Sequence, residues 1–281
     1  MKKNILLVSY PKSGNTWLRA IISNLLIQNN NFSLNDLKQI QLLSSKKHFN
    51  NFKNIPYDEE GDINFDWTSE NIIECQKILN KKNIVHKFYK SHSVRHKKFT
   101  NETVNLGFIY IIRDPRDIVV SLSKFAGGSI DRSIHELLYS SYSVAKANGV
   151  KELLSTWDLH VKSWIEYQSV SRLFIKYEDL LNQNRESILK IIEFINIISS
   201  NSILAKDIDI KKIIENTNFS NLQKLEKIKG FDEASKYSNF FRSGKQNQWK
   251  NILTKDNVNS SIDIFSTYLA IILNNVMLNR K

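Results

Sequence analysis

The sequence predicts an α/β chain with a mostly parallel central sheet flanked by helices, and three observations carry that prediction. First, Asn4–Tyr10 reads as a short buried strand and passes through a glycine-bearing turn into a helical pattern from Thr16, the opening of a nucleotide-type α/β unit. Second, Leu106–Ile112 and Arg172–Tyr177 are continuous apolar runs, as expected of strands covered on both faces. Third, segments with helical period alternate with these runs along the chain.

The elements follow in order. Trp17/Leu18, Ile21/Ile22 and Leu25/Leu26 recur at the spacing of one helix face. Residues 29–82 are polar and Asn-rich, with an acidic patch at Asp58–Asp62, and read as a helix-and-loop excursion. A strand is expected over Ile84–Lys90, then the stronger one over Leu106–Ile112. Asp114 as N-cap with Pro115 in the first helical position starts the next helix. Residues 151–170 read as helix, Arg172–Tyr177 as strand, and Arg185–Ile198 as a helix with Ile188, Ile191, Ile192 and Ile195 on one side. Further helices are expected over Asp209–Asn216 and Asn257–Leu278, with a long basic loop over Lys227–Gln248. Gly 8 plus Pro 3 leaves no material for a flexible linker, so residues 1–281 are read as a single domain.

Composition narrows the class. With 41% hydrophobic residues the chain can fill a core, which excludes a disordered or collagen-like protein. The single cysteine, Cys75, excludes an internal disulfide framework and a cysteine-based zinc site. After Met1-Lys2-Lys3 the apolar run ends at Ser9, short of the ~7–15 residues of a secretory core, and no run approaches the ~20 of a membrane span. The expectation is a soluble, cytoplasmic protein. A net charge of +12 favours anionic partners, although the charge is spread along the chain and coding bias accounts for it equally well.

Four constellations carry chemistry. Tyr10-Pro11-Lys12-Ser13-Gly14-Asn15-Thr16-Trp17 turns into a helix N-terminus, where backbone N–H groups and the helix dipole favour an anion. Lys12 adds a cation, and Ser13, Asn15 and Thr16 add donors. The lysine precedes the glycine, so this is not a Walker A loop. Lys87–His92 ends a strand, with Lys90 and His92 two apart; a cation beside a histidine favours its neutral, base-competent form. In Arg113-Asp114-Pro115-Arg116-Asp117-Ile118-Val119-Val120-Ser121, a guanidinium at a strand end and a hydroxyl two turns into a helix suit a phosphate monoester. Phe240–Lys250 sets Arg242, Gly244 and Lys245 close together, as a loop over an anion would.

In this order the four motifs resemble those of the sulfotransferases that use 3′-phosphoadenosine 5′-phosphosulfate, from Tyr10 to about Lys250. The resemblance implies the P-loop-like sulfotransferase fold and that nucleotide as sulfuryl donor, with no metal. It implies that Lys12, Ser13, Gly14, Asn15 and Thr16 hold the 5′-phosphosulfate, Lys12 assisting the bridging oxygen, and that Trp17 stacks on adenine. Lys90-Ser91-His92 is similar to the family's Lys-Thr-His, which makes His92 the base and Lys90 a sulfuryl stabiliser. Arg113 and Ser121 match the pair that binds the 3′-phosphate. Tyr177 and, more weakly, Thr217 and Phe219 match residues lining the base, and Arg242-Ser243-Gly244 resembles the Arg-Lys-Gly that closes over the 3′-phosphate.

The sequence departs from the family at Ser243, at Asn247-Gln248 where Gly-Asp is usual, and at Asn15. Lys255 and Asn259 break its dimer motif. The implied reaction is in-line transfer to an acceptor hydroxyl of a small molecule, lipid or glycan. Its pocket is expected from residues 29–70, the segment after His92, and 123–165, with Phe125, Tyr139, Tyr142, Trp157 and Trp164 as candidates that equally suit a core. Arg95–Lys98 is either a lure for an acidic acceptor or a solvated loop. The rival readings are a P-loop kinase-like enzyme, a basic nucleic-acid-binding protein and a catalytically dead nucleotide-binding relative.

Overall fold

A computed structural model describes residues 2–27, 32–83, 86–139, 150–182, 184–205, 207–261, 266–268 and 270. In chain order the described elements are β1 (Asn4–Val8), α1 (Asn15–Ile27), β2 (Gln41–Leu42), α2 (Phe65–Lys82), β3 (Lys87–Ser91) and β4 (Asn105–Ile112). They continue through α3 (Pro115–Ala126), α4 (Ile130–Tyr139), α5 (Trp157–Ile165), β5 (Ser171–Lys176), α6 (Tyr177–Asn182) and α7 (Asn184–Ser199) to α8 (Ile210–Thr217), α9 (Phe219–Lys229) and α10 (Lys255–Asn259). The strands form one sheet in the order β2-β3-β1-β4-β5, and all pairings are parallel.

The continuous apolar strands have the burial their composition requires. Ile5 and Leu7 of β1, with Ile109 and Ile111 of β4, face a layer made by α1, α7, α8 and α9. Leu6 and Val8, with Phe108, Tyr110 and Ile112, face α3, α4 and α5. Two successive residues of a strand thus serve opposite cores, which is why no polar alternation is visible in either run.

A parallel sheet brings every strand's C-terminal end to one edge, and the order reverses across β1, so the crevice for a ligand opens there. Register fixes the neighbours: Leu7 pairs with Lys90, Val8 with both Ser91 and Tyr110, and Ile112 with Lys176. The turn after β1, the Lys90–His92 segment, Arg113 and Tyr177 therefore meet along one rim.

Several sequence expectations shift. Residues 29–82 contribute an edge strand, β2, whose two residues are too few to show a period. The helix expected over 151–170 covers only Trp157–Ile165. The chain before it is held extended by Val150 N–H donating to the Ser44 carbonyl and Val94 N–H to the Leu153 carbonyl. The loop expected from Lys227 begins at Gly230, because α9 runs from an Asn218 cap that accepts from Asn221 N–H to a positive-φ Gly230. Of the helix expected over Asn257–Leu278, α10 accounts for the start, and residues 271–281 lie outside the described set. Asp114 caps α3 as expected, accepting from Arg116 N–H, with Pro115 in the first turn. Among the described residues no helix is long and apolar enough to cross a membrane. Ile109→Ala, which empties a fully buried position at the centre of the sheet, should cost about 2–5 kcal/mol, read as a lower urea midpoint at unchanged slope.

Candidate functional site

The turn between β1 and α1 is tightly specified. Lys12 sits at φ 66° and Gly14 at φ 105°, and Ser13 N–H closes the turn onto the Tyr10 carbonyl. A non-glycine residue in the left-handed region costs about 1–2 kcal/mol, so packing must hold Lys12 there. Gly14 is required twice over, since a Cβ at this position would lie 2.7 Å from the Tyr177 ring. Asn15 turns inward, its amide donating to the Leu7 carbonyl (3.1 Å) and to Ser9 Oγ (3.4 Å), and thereby ties the turn to β1. Ser13 Oγ, Asn15 Oδ1 and Trp17 Nε1 are buried without a hydrogen-bond partner among the described residues. Buried polar atoms ordinarily find partners, and a cluster of orphans at a helix N-terminus suits a polar anionic ligand.

At the end of β3, His92 Nδ1 lies 2.7 Å from the Ser9 carbonyl. A carbonyl only accepts, so Nδ1 carries the proton and Nε2 keeps its lone pair. The peptide of His92 is held on both sides. Its N–H donates to Glu152 Oε1 (3.2 Å), and its carbonyl accepts from His160 Nε2 (3.0 Å), whose Nδ1 meets the Tyr110 hydroxyl (2.9 Å). Burial, reinforced by the Lys90 cation, pushes His92 down to about 3, so the ring is neutral at physiological pH. Lys90 Nζ lies 3.2 Å from Glu233 Oε2, and burial lowers its ammonium.

Arg113, directly after β4, donates from NH1 to the Lys12 carbonyl (3.0 Å) and from NH2 to the Lys245 carbonyl (3.2 Å). Its guanidinium stacks on Tyr177, centroid distance 4.3 Å, and Tyr177 meets Trp17 edge-on. Tyr177 is the first residue of α6, directly after β5. Ser121 is half-buried in the second turn of α3. Thr217 is buried with its hydroxyl donated to the Ile213 carbonyl. The Phe219 ring lies so close over Gly244, at φ 60°, that a Cβ there would be 2.3 Å from it, while Ser243 beside it is half-buried.

Arg242 donates to Gln248 Oε1 (2.9 Å). Asn247 adopts φ 59°, a conformation that glycine takes freely and asparagine better than most, which explains how it stands in for the usual glycine. Asp117 then fixes this loop, accepting from Asn247 N–H (2.7 Å) and Trp249 N–H (3.1 Å).

The sequence marks Asp117 only as part of the Arg113–Ser121 motif, with no role of its own, and does not mark Arg19, Glu152, His160 or Glu233. Arg19 falls on the helix stripe one turn after Thr16, and the other three lie in irregular or core segments without a motif to mark them. Of the aromatic acceptor candidates, Phe125 reaches the site, where Lys12 Nζ sits 3.7 Å from its ring centroid and 4.3 Å from that of Phe240. Trp157 and Trp164 belong to the core and Tyr139 is exposed; Tyr142 lies outside the described residues. Arg95 stacks on Tyr167 and pairs with Glu102 at 3.8 Å, which favours a structural role for it.

Comparison with known proteins gives the family and the fold. The family described as the sulfotransferase domain matches residues 2–270. Flavonol 3-sulfotransferase of Flaveria bidentis is 28% identical over 269 residues, covering 90% of this chain and 77% of its own. Cytosolic sulfotransferase 3 of Arabidopsis thaliana is 25% identical over 270 residues, 93% of this chain and 74% of its own. Among solved structures, retinol dehydratase in complex with androsterone and the inactive cofactor PAP superposes with a TM-score of 0.63 at 16% identity, over 97% of this chain and 81% of that one; it shares the fold.

Burial, then the Lys90 and Arg113 cations, lowers Lys12 to about 7. The free protein therefore gives up this charge far more readily than an exposed lysine does, and an anion in the turn restores it. Binding of adenosine 3′,5′-bisphosphate at pH 8 should take up about one proton, read by calorimetry in buffers of different ionisation enthalpy, and Lys12→Met should abolish the uptake.

Proposed function

The chain belongs to the sulfotransferase domain family, and from that premise we propose that it moves the sulfuryl group of 3′-phosphoadenosine 5′-phosphosulfate to an acceptor hydroxyl, as one domain spanning residues 1–281. The observation that carries this reading is the convergence at one rim of a donor-rich turn with orphaned polar atoms, a strand-end guanidinium and a neutral histidine with Nε2 free.

The roles follow from position. Ser13, Gly14, Asn15 and Thr16 form the cradle for the 5′-phosphate, with Trp17, Tyr177, Thr217 and Phe219 around the base. Arg113, Ser121, Arg242, Ser243 and Gly244 take the 3′-phosphate. The donor supplies an activated sulfuryl group, so the protein's work is alignment and charge. His92 Nε2 accepts the acceptor's proton as its oxygen bonds to sulfur. Lys12 and Lys90 hold positive charge over the bond that breaks, and the electron pair of that bond leaves on the nucleotide phosphate. Relatives named for flavonols favour a hydroxylated small molecule as acceptor, and relatives named as cytosolic favour the cytoplasm.

The test uses donor labelled with ³⁵S and a panel of flavonols, steroids and simple phenols in the presence of EDTA. Transfer of label to a hydroxyl supports the reading, and a protein that instead consumes ATP with magnesium overturns it. His92→Ala should lower kcat by about 10²–10⁴-fold while leaving bisphosphate affinity within about twofold. Because His92 is already neutral well below neutrality, kcat/KM of the wild type should show no acid limb from this group between pH 5 and 8.

A further inference from the structure

Among the described residues, Glu233, in the loop after α9, is the acidic side chain that ion-pairs with a proposed catalytic cation. Its Oε2 lies 3.2 Å from Lys90 Nζ and accepts from Thr16 Oγ1 at 3.3 Å, while Oε1 pairs with Arg19 NH1. Arg19 is itself fixed by donating from NH2 to the Leu37 carbonyl at 3.1 Å. Three donors on β3 and α1 thus converge on one carboxylate delivered by a segment outside the sheet.

Two of those three, Lys90 and Thr16, are groups assigned above to the sulfuryl and phosphate ends of the donor. A carboxylate and a sulfuryl group offer the same thing to them: anionic oxygens at charge-assisted hydrogen-bond distance. Burial alone would raise the Glu233 carboxyl, but the Lys90 and Arg19 cations outweigh it and hold it at about 2, so protonation does not release these donors near neutral pH. Only a competing anion or movement of the side chain does.

We propose that Glu233 occupies the subsite of the transferring sulfuryl group when the nucleotide is absent, and so sets how strongly the enzyme discriminates between the sulfated donor and the desulfated product. The proposal rests on the donor-site reading above. The donor must displace the carboxylate from Lys90 and Thr16. The product, which lacks the sulfuryl group, competes with it less. Removing the charge frees Lys90 and Arg19 for the incoming group, whereas a carboxylate that merely braced Lys90 for catalysis would strengthen donor binding by its presence.

The experiment titrates 3′-phosphoadenosine 5′-phosphosulfate and adenosine 3′,5′-bisphosphate, without acceptor, into wild type, Glu233→Gln and Glu233→Asp, each checked by thermal midpoint. Glu233→Gln should bind the donor about tenfold tighter, with a smaller gain for the bisphosphate, and Glu233→Asp should fall between it and the wild type. Unchanged or weaker donor binding in a folded variant overturns the proposal. If Glu233→Gln does not fold, the aspartate variant decides: donor affinity at or below the wild-type value overturns it. Failure of the donor-site reading is distinguishable, because bisphosphate would then fail to bind the wild type or would bind Arg113→Ala equally well.

Discussion

One guanidinium joins the parts of the rim that no strand pairing joins. Arg113 leaves the end of β4 and reaches the Lys12 carbonyl on the turn after β1 and the Lys245 carbonyl on the loop that follows Arg242, while its face lies on Tyr177 after β5. These are segments 101 and 132 residues away in sequence. Hydrogen bonds that involve a charged group contribute about 1.5–3 kcal/mol each, enough to settle the placement of an irregular loop. The parallel sheet delivers the strand ends to one edge, and Arg113 fixes the connecting turns relative to one another.

The same arrangement gathers cations that repel each other. Burial comes first, and the Lys90, Arg113 and Arg242 cations add to it in bringing the Lys12 ammonium down to about 7. Such a cluster is destabilising in an empty protein and becomes favourable when anionic oxygens enter it, the reverse of a solvated surface ion pair. Three features limit the cost: aromatic rings against Lys12, the Glu233 carboxylate between Lys90 and Arg19, and histidines kept neutral by burial. Asp117 does related work at one remove, holding two backbone amides of the 242–249 loop.

Much of this was legible in the sequence because the responsible features are local. A glycine at a turn, a proline after a capping aspartate and unbroken apolar runs each report a backbone requirement within a few residues, and β1, β4, β5 and the start of α3 follow from them. The motifs named the groups at the rim for the same reason. What stayed hidden depends on the fold. Glu233 stands in a stretch without a period, and only the chain's path brings it to Lys90. His160 reads as one of several histidines until Tyr110 and the His92 carbonyl are placed on either side of it. The two-residue β2 and the polar face of α9 carry too little apolar pattern to register.

The claim at the centre of this account is that Arg113 reads the 3′-phosphate of the nucleotide. The direct measurement compares the affinities of adenosine 3′,5′-bisphosphate and adenosine 5′-phosphate for wild type and Arg113→Ala. In the wild type the 3′-phosphate should strengthen binding by about 10–100-fold, as a charge-assisted contact of this kind does, and in Arg113→Ala the two nucleotides should bind nearly alike. Undiminished discrimination in the variant would contradict the account and assign that phosphate to another part of the rim.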